Sequence, residues 1–268
     1  MMEPTNQDLM LGLLLSLFAG LSTCVGAAVA LFLKRTDTRV LTYALGASAG
    51  VMVYISFMEL LPEAGRFLQQ GSGKWVSMAA FFGGMLLAGA IDRMIPDDEN
   101  PHEIHSADDL DAVRPTGEFS ARSGVRRSAM LFAAAIAIHN FPEGIATMAS
   151  AFDSPGTALS VAFAVSIHNI PEGIAVALPL MFGTGSRKRA FWGATLSGLA
   201  EPVGALAAML ILLPFLTPTL LAVLFCLVAG IMVYISFDEL LPMAERWGHH
   251  HLSIGGVISG MLLMALVL

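Results

Sequence analysis

Charged side chains are scarce in this sequence of 268 residues. They make up 13% of the chain, against the roughly 25% that is usual in soluble domains, while hydrophobic residues make up 56%. This shortage excludes an ordinary water-soluble domain, and the formal net charge of −7 does not indicate nucleic acid as a partner. The chain is therefore predicted to lie in a lipid bilayer.

Cysteine is nearly absent as well, since only Cys24 and Cys226 occur. Each lies in an apolar run, where a lone thiol usually behaves as a small hydrophobic side chain, so we expect neither a disulfide nor a thiolate metal site. The leading segment, MMEPTNQD, contains no Lys or Arg, and the apolar run after it is longer than the core of a signal peptide. This run is expected to remain as a transmembrane helix.

Long apolar runs account for most of the chain. Each is close to the ~20 residues that an α-helix needs to cross a bilayer, and the runs are continuous rather than alternating as in a membrane β-barrel. The predicted fold class is therefore an all-α membrane protein, a single transmembrane domain over residues 1–268 with eight helices. The predicted helices span residues 8–33, 40–62, 75–95, 129–150, 157–182, 190–213, 219–242 and 252–268.

Lys and Arg residues are distributed unevenly between the predicted loops. The loops after helices 1, 3, 5 and 7 contain 12 of them, whereas the loops on the other side contain only Arg66 and Lys74. By the positive-inside rule, the first set of loops is cytoplasmic. With eight helices, both termini are then expected on the outer side of the membrane.

One loop is long, residues 96–128, and it is polar, mixed in charge and without apolar periodicity. Such a segment is predicted to be a loosely ordered cytoplasmic linker. Its His102 and His105 either are solvated residues or recruit metal ions. A second histidine cluster, residues 249–251, lies between helices 7 and 8 and is open to the same two interpretations.

Two internal repeats relate the halves of the chain. AGVMVYISFMELLPEA at residues 49–64 returns as AGIMVYISFDELLPMA at residues 229–244 with 13 of 16 positions identical, and AIHNFPEGIA at residues 137–146 returns as SIHNIPEGIA at residues 166–175. The members of each pair lie in helices that cross the membrane in opposite directions. Such inverted repeats are typical of secondary transporters, whose substrates bind near the midplane at broken helices. They predict a 3+2+3 arrangement, in which the outer three-helix units rock against one another.

Acidic and imidazole side chains occur within the apolar spans, but no Lys or Arg lies in the middle of any span. A carboxylate costs roughly 2.5–3.5 kcal/mol at the centre of a membrane helix, so such acids usually belong to an ion path or a proton relay. Without a basic partner, each must be neutralised by a metal cation or by a proton. The polar residues concerned are Glu59, His139, Asn140, Glu143, His168, Asn169, Glu172, Glu201, Asp238 and Glu239.

The repeated motif HN-x-PEG places its polar groups on one helix face, because His and Glu are four residues apart and Asn and Glu are three apart. Its proline frees a backbone carbonyl and bends the helix beside these groups. Imidazole together with carboxylate suits Zn(II), Fe(II) and Mn(II), and glutamates shared between two ions would make the site binuclear. The candidate ligands are His139, Asn140, Glu143, His168, Asn169, Glu172 and, in helix 6, Glu201.

Several of these residues keep two interpretations. Glu201, next to Pro202, is either a ligand or a helix cap, and Met52 and Met232 are either soft ligands or, more often for a membrane-core Met, packing residues. The acids near the ends of helices 2 and 7 either form the mouths of an ion path or are solvated at the membrane interface. These acids are Glu59, Asp238 and Glu239.

The paired motifs HNFPEG and HNIPEG, with SGLAEP in helix 6, resemble the ZIP (Zrt/Irt-like protein) family of divalent metal transporters, in its bacterial branch. The resemblance implies import of zinc, with iron, manganese, cobalt and cadmium as further substrates, into the cytoplasm across a bacterial inner membrane. Metal ions would be cargo, with no resident cofactor. It also implies one site with His139, Glu143, His168 and Glu172 as ligands, and a neighbouring site with Asn140, Glu143, Asn169, Glu172 and Glu201.

The partners expected are divalent metal ions and the lipid bilayer, with no nucleic acid; a homodimer is left open. The main alternative function is an intramembrane zinc-dependent hydrolase. Such an enzyme needs an open coordination position and a separate general base. The duplicated motifs offer no such asymmetric pair, so we expect no enzymatic activity.

Overall fold

The computed structural model describes residues 5–32, 38–68, 73–93, 119–215 and 217–267, and all regular secondary structure in these ranges is helical. By length and composition, all the helical spans but α4 are long and apolar enough to cross a membrane. The prediction of an all-helical, multi-pass membrane protein is therefore confirmed. The spans are α1 (Asn6–Ala30), α2 (Thr38–Phe67), α3 (Gly73–Asp92), α4 (Phe119–Asp153), α5 (Pro155–Thr184), α6 (Arg187–Ile211), α7 (Pro218–Glu245) and α8 (His250–Val267).

Helix α4 begins at Phe119, within the segment predicted as a polar loop. No proline interrupts residues 119–128, and Arg, which is frequent there, is a good helix former, so the membrane helix continues into the polar segment. Residues 96–118 of the predicted loop, with His102 and His105, lie outside the described residues.

Several helix starts follow from capping residues. Ser154 accepts a hydrogen bond from the backbone N–H of Thr157, and Thr217 accepts one from the backbone N–H of Leu220. In both cases the next residue is a proline, which suits the first helical position because its missing N–H has no intrahelical partner there. These caps fix where α5 and α7 begin.

Three π-helical turns occur in the described spans, and a proline follows each of them two residues later. In α2, the N–H of Leu61 donates to the carbonyl of Ser56, five residues back, and in α7 the N–H of Leu241 donates in the same way to Ser236. The proline ring cannot accommodate the carbonyl four residues back and supplies no N–H, so a widened turn relieves the clash. The π turns are Ser56–Leu60, Ala208–Leu212 and Ser236–Leu240, before Pro62, Pro214 and Pro242.

The repeat in α2 and α7 therefore extends to the backbone. Ser56 and Ser236 begin the two π turns, and each side chain donates to the carbonyl of the methionine four residues earlier, at 2.8 Å to Met52 and 2.7 Å to Met232. The sixteen-residue repeat thus specifies a shared break in the two helices.

The helices pack in two groups of four. Helices α1, α4, α5 and α6 contact one another extensively, and α2 packs along α8 while α3 packs along α7. The two groups meet mainly where α2 lies against α5, with a smaller contact between α4 and α7. The contacts therefore do not follow the three-helix units of the repeat, because sequence symmetry relates equivalent helices without requiring them to touch.

Glycines allow these close contacts. In the α2–α8 pair, a methyl group on Gly46 or Gly50 would overlap a backbone carbonyl of α8, and one on Gly256 or Gly260 would overlap a carbonyl of α2. Small residues let membrane helices approach until backbone meets backbone, where van der Waals contact drives association. Glycines make the same kind of close backbone contact in the group formed by α1, α4, α5 and α6.

Candidate metal centre

Helices α4, α5 and α6 bring all seven candidate ligands into the interior of the first group of helices. His139 has the highest exposed fraction of the seven, at 3%. Pro142 lies inside α4, which stays helical through the motif, and α6 is interrupted by a turn at Leu199 just before Glu201. The interruption is expected, since Pro202 cannot donate to the carbonyl of Gly198.

An imidazole–carboxylate cluster forms the centre of this region. His168 Nε2 lies 3.0 Å from Glu143 Oε1 in a hydrogen bond between α5 and α4. His139 Nε2 lies 3.1 Å from Glu143 Oε1 and 3.3 Å from Glu172 Oε1, distances of an ion pair but without hydrogen-bond alignment. Glu143 is thus the carboxylate that both imidazoles approach.

Three His, Cys, Asp or Glu residues can hold a metal ion when one potential ligand atom from each lies close to the others. Within the described part of the chain, His139, Glu143 and His168 are the one such group, with these atoms all within 4.8 Å of one another. The i, i+4 spacing predicted that His139 and Glu143 would share a face, and the packing of α5 on α4 adds His168 to them. The residue types match the nitrogen and oxygen ligands that zinc and neighbouring divalent ions prefer. That these side chains are metal ligands stays a prediction.

The two asparagines are held through their amide nitrogens. Asn140 Nδ2 donates to the carbonyl of Ser197 in α6 at 3.1 Å, and Asn169 Nδ2 donates to the carbonyl of Ala19 in α1 at 2.9 Å. Asn169 Nδ2 also donates to Glu201 Oε1. Because the nitrogens are engaged, the amide oxygens remain available as acceptors.

Several buried oxygens in this cluster have no hydrogen-bond partner among the described residues. Buried polar atoms in proteins are almost always paired, so a concentration of unpaired acceptors is unusual and fits the predicted metal ligands, whose role stays a prediction. The atoms are Asn140 Oδ1, Asn169 Oδ1, Glu143 Oε2, Glu172 Oε1 and Oε2, and Glu201 Oε2.

Reciprocal glycine contacts draw the helices together around these oxygens. A methyl group on Gly144 of α4 would overlap the carbonyl oxygen of Glu201, and one on Gly204 of α6 would overlap that of Phe141. The glycine of each HN-x-PEG motif has such a contact, since a methyl on Gly173 would overlap the carbonyl of Thr23 in α1. These glycines therefore serve close helix packing directly beside the glutamates.

The methionines and the acids of α2 and α7, for which the sequence allowed two interpretations, differ in burial. Met52 and Met232 are buried in the hydrophobic core. In the π turns, Glu59 is half-buried, whereas Asp238 is exposed and Glu239 is buried close enough to His139 and Glu172 for electrostatic interaction. Glu239 is thus the buried acid of this set that interacts electrostatically with the centre.

The cysteines and the histidines at residues 249–251 are the other unusual residues of the sequence. Both cysteines are free thiols. His250 Nδ1 lies 2.8 Å from Glu245 Oε2 at an exposed position, and His249 Nε2 lies 3.5 Å from Thr38 Oγ1.

Sequence reasoning did not identify the backbone carbonyls of Ala19 and Ser197 as hydrogen-bond acceptors for the two asparagines. It therefore also missed that α1 contacts this centre. A backbone carbonyl has no sequence signature. The glycine that follows each of these residues, Gly20 and Gly198, was the available signal.

Comparison with known proteins gives a consistent result. Residues 93–268 match the model of the family described as ZIP Zinc transporter. The chain is 59% identical to zinc transporter ZupT of Akkermansia muciniphila over the whole length of both chains. It is 53% identical to zinc transporter ZupT of Chlorobium luteolum, with 96% of each chain covered, and 50% identical to that of Nitratidesulfovibrio vulgaris, with 95% of this chain and 94% of the relative covered. The chain belongs to the ZIP family of metal transporters, as the paired HN-x-PEG motifs predicted.

Proposed function

We propose that this protein carries zinc, and with it iron, manganese, cobalt and cadmium, into the cytoplasm across a bacterial inner membrane. Membership of the ZIP family makes it a transporter of divalent metal ions rather than an enzyme. The choice of zinc as the leading substrate is supported by the names of its relatives and by a cluster that combines imidazole with carboxylate.

One observation carries this proposal, namely that buried carboxylate and amide oxygens converge in a stretch of the chain that has no Lys or Arg to neutralise them. The sequence contains no Lys or Arg between Arg127 and Arg187, the stretch that supplies six of the seven candidate ligands. Glu143, Glu172 and Glu201 together bring three carboxylates into the interior. Divalent cations are the partners that satisfy both the charge and the unpaired oxygens.

We propose further that the centre binds two ions. The first would use the imidazoles of His139 and His168 with Glu143 and Glu172. The second would use oxygen atoms only. Its ligands would be Asn140, Asn169, Glu201 and the same two glutamates. Sharing is supported by Glu143, whose Oε1 approaches both imidazoles while its Oε2 has no hydrogen-bond partner among the described residues.

The helix contacts suggest which parts move. All candidate ligands belong to the group formed by α1, α4, α5 and α6, and this group meets the other mainly along α2 and α5. We propose that these two groups shift against each other to open the centre to one side and then the other. In this proposal the 3+2+3 inverted repeat describes only the symmetry of the fold, and both termini lie on the periplasmic side. The bodies that move are the two four-helix groups rather than the three-helix units expected from the sequence.

The transport assay uses purified protein in sealed liposomes with a metal-sensitive dye inside. Under an applied zinc gradient, wild-type protein should give influx and Glu143→Ala/Glu172→Ala none. Glu245→Ala is the matched control, because it removes a carboxylate of α7 that is far more exposed and pairs with His250. Zinc binding by wild type without any influx would defeat the transport proposal.

Coupling to protons is a separate point that the same liposomes can decide. The glutamates left by a departing ion are the groups that would take up protons and reset the cycle. Zinc influx that responds to an imposed pH gradient would support this coupling. Influx that depends only on the zinc gradient would instead indicate facilitated diffusion.

A further inference from the structure

Helix α1 contributes none of the candidate ligands, yet its backbone holds one of them. The carbonyl of Ala19 accepts a hydrogen bond from Asn169 Nδ2 at 2.9 Å, and the carbonyl of Ser197 in α6 accepts one from Asn140 Nδ2 at 3.1 Å. The oxygen of an amide group points away from its nitrogen, so these carbonyls direct the amide oxygens, together with Glu201 Oε1, to which Asn169 Nδ2 also donates. Both oxygens are buried and lack a hydrogen-bond partner among the described residues.

The residues that follow these two carbonyls are glycines in mutual contact. A methyl group on Gly20 would overlap the carbonyl oxygen of Gly198, and a methyl group on Gly198 would overlap that of Gly20 and crowd Thr23. This reciprocal contact sets the distance between α1 and α6 at the level of the two asparagines. A larger residue at either position would separate the carbonyls that hold them.

The break in α6 contributes to the same contact. Pro202 has no N–H to donate to the carbonyl of Gly198, and α6 is interrupted at Leu199. The carbonyl oxygen of Gly198 lies against Gly20 instead. The interruption that presents Glu201 to the centre thus also provides the surface on which α1 packs.

We propose that the Gly20–Gly198 contact positions the metal centre by orienting the amides of Asn140 and Asn169 so that their oxygens face the ion. This inference rests on the proposed function and gives α1 a role in it. Gly20 and Gly198 are positioning residues, since they act through Ala19 and Ser197 and touch no ion. Groups that orient metal ligands typically contribute tenfold to a hundredfold to metal affinity.

The test compares glycines with the same packing but different surroundings. In Gly20→Ala the new methyl overlaps a carbonyl of α6 beside the centre, whereas in the control Gly46→Ala it overlaps the carbonyl of Ser253, in the helix group without candidate ligands. Calorimetric titration of the detergent-purified proteins with Zn2+ measures binding, and thermal unfolding measures stability. We expect a similar loss of thermal stability in both variants but at least tenfold weaker zinc binding in Gly20→Ala alone.

A rescue variant separates orientation from general damage. An aspartate presents an oxygen whichever way its side chain turns, but it also adds charge and loses the donor to Ala19 and Glu201. Asn169→Asp should therefore raise zinc affinity more in the Gly20→Ala background than in the otherwise wild-type protein. Unchanged affinity in Gly20→Ala, or equal losses in Gly20→Ala and Gly46→Ala, would overturn the proposal, as would a failed rescue.

If Gly20→Ala does not fold, a variant that adds no heavy atoms can test the same contact. Pro202→Ala restores an N–H for the carbonyl of Gly198, which should draw that carbonyl away from Gly20 and lower zinc affinity at least tenfold. Wild-type affinity in Pro202→Ala would count against the proposal. Absence of zinc binding in the wild type would defeat the proposed function itself, so the two failures are distinguishable.

Discussion

Replacement of Glu143 by glutamine tests whether one carboxylate serves two ions. Glutamine keeps the shape and one acceptor oxygen but removes the negative charge at the atom that lies 3.0 Å from His168 Nε2 and 3.1 Å from His139 Nε2. An interaction with a charged group contributes about 1.5–3 kcal/mol, so each binding step that uses this carboxylate should weaken by tenfold to roughly 150-fold.

The comparison variant is Glu201→Gln, which removes a carboxylate assigned to the oxygen-only position. Calorimetric titration with Zn2+ should show both binding steps weakened in Glu143→Gln and only one weakened in Glu201→Gln. Zinc influx into liposomes should fall further in the first variant than in the second. Two unaffected steps in Glu143→Gln would refute its role as a ligand, and a single affected step would refute the sharing of this glutamate.

Two further predictions concern pH and the exposed end of α2. Zinc affinity should fall as the pH is lowered, because imidazole and carboxylate bind metal only when deprotonated, and His139→Ala/His168→Ala should show a shallower dependence in the same titration. Arg66→Ala should lower the free energy of unfolding by more than the roughly 1 kcal/mol of an exposed pair, because Arg66 is 69% exposed but the side chain of its partner Glu63, 2.5 Å away, is only 8% exposed and would lose its charge partner. An unchanged thermal stability would contradict this expectation and would show that water replaces Arg66 beside Glu63.

The helical membrane class and the composition of the centre could be predicted because both depend on local rules. A run of about 20 apolar residues must be a helix in lipid, since no other segment satisfies its own backbone hydrogen bonds there. The spacing of His139, Asn140 and Glu143 fixes them on one face of α4 whatever surrounds it. The repeated motif places His168, Asn169 and Glu172 on one face of α5 in the same way.

The π turns show the limit of this local reasoning. A proline such as Pro62, Pro214 or Pro242 indicates that its helix is irregular nearby. The proline does not specify whether the irregularity is a kink, a break or a widened turn. In α2 and α7 the same sequence gives the same widened turn, so the outcome is encoded locally even though sequence rules did not name it. In α6, Pro202 follows a break, whereas Pro142 leaves α4 helical.

The sequence by itself determined that this chain crosses a membrane, that it carries uncompensated acids there, and which side chains of α4 and α5 face together, because helix geometry and the cost of charge in lipid act over a few residues. The tertiary structure decided that α1, α4, α5 and α6 pack as one group and that the carbonyls of Ala19 and Ser197 hold the two asparagines. These features depend on backbone contact between helices far apart in the chain, where Gly20 meets Gly198. Such contacts follow from the shapes of whole helices, which no local pattern specifies.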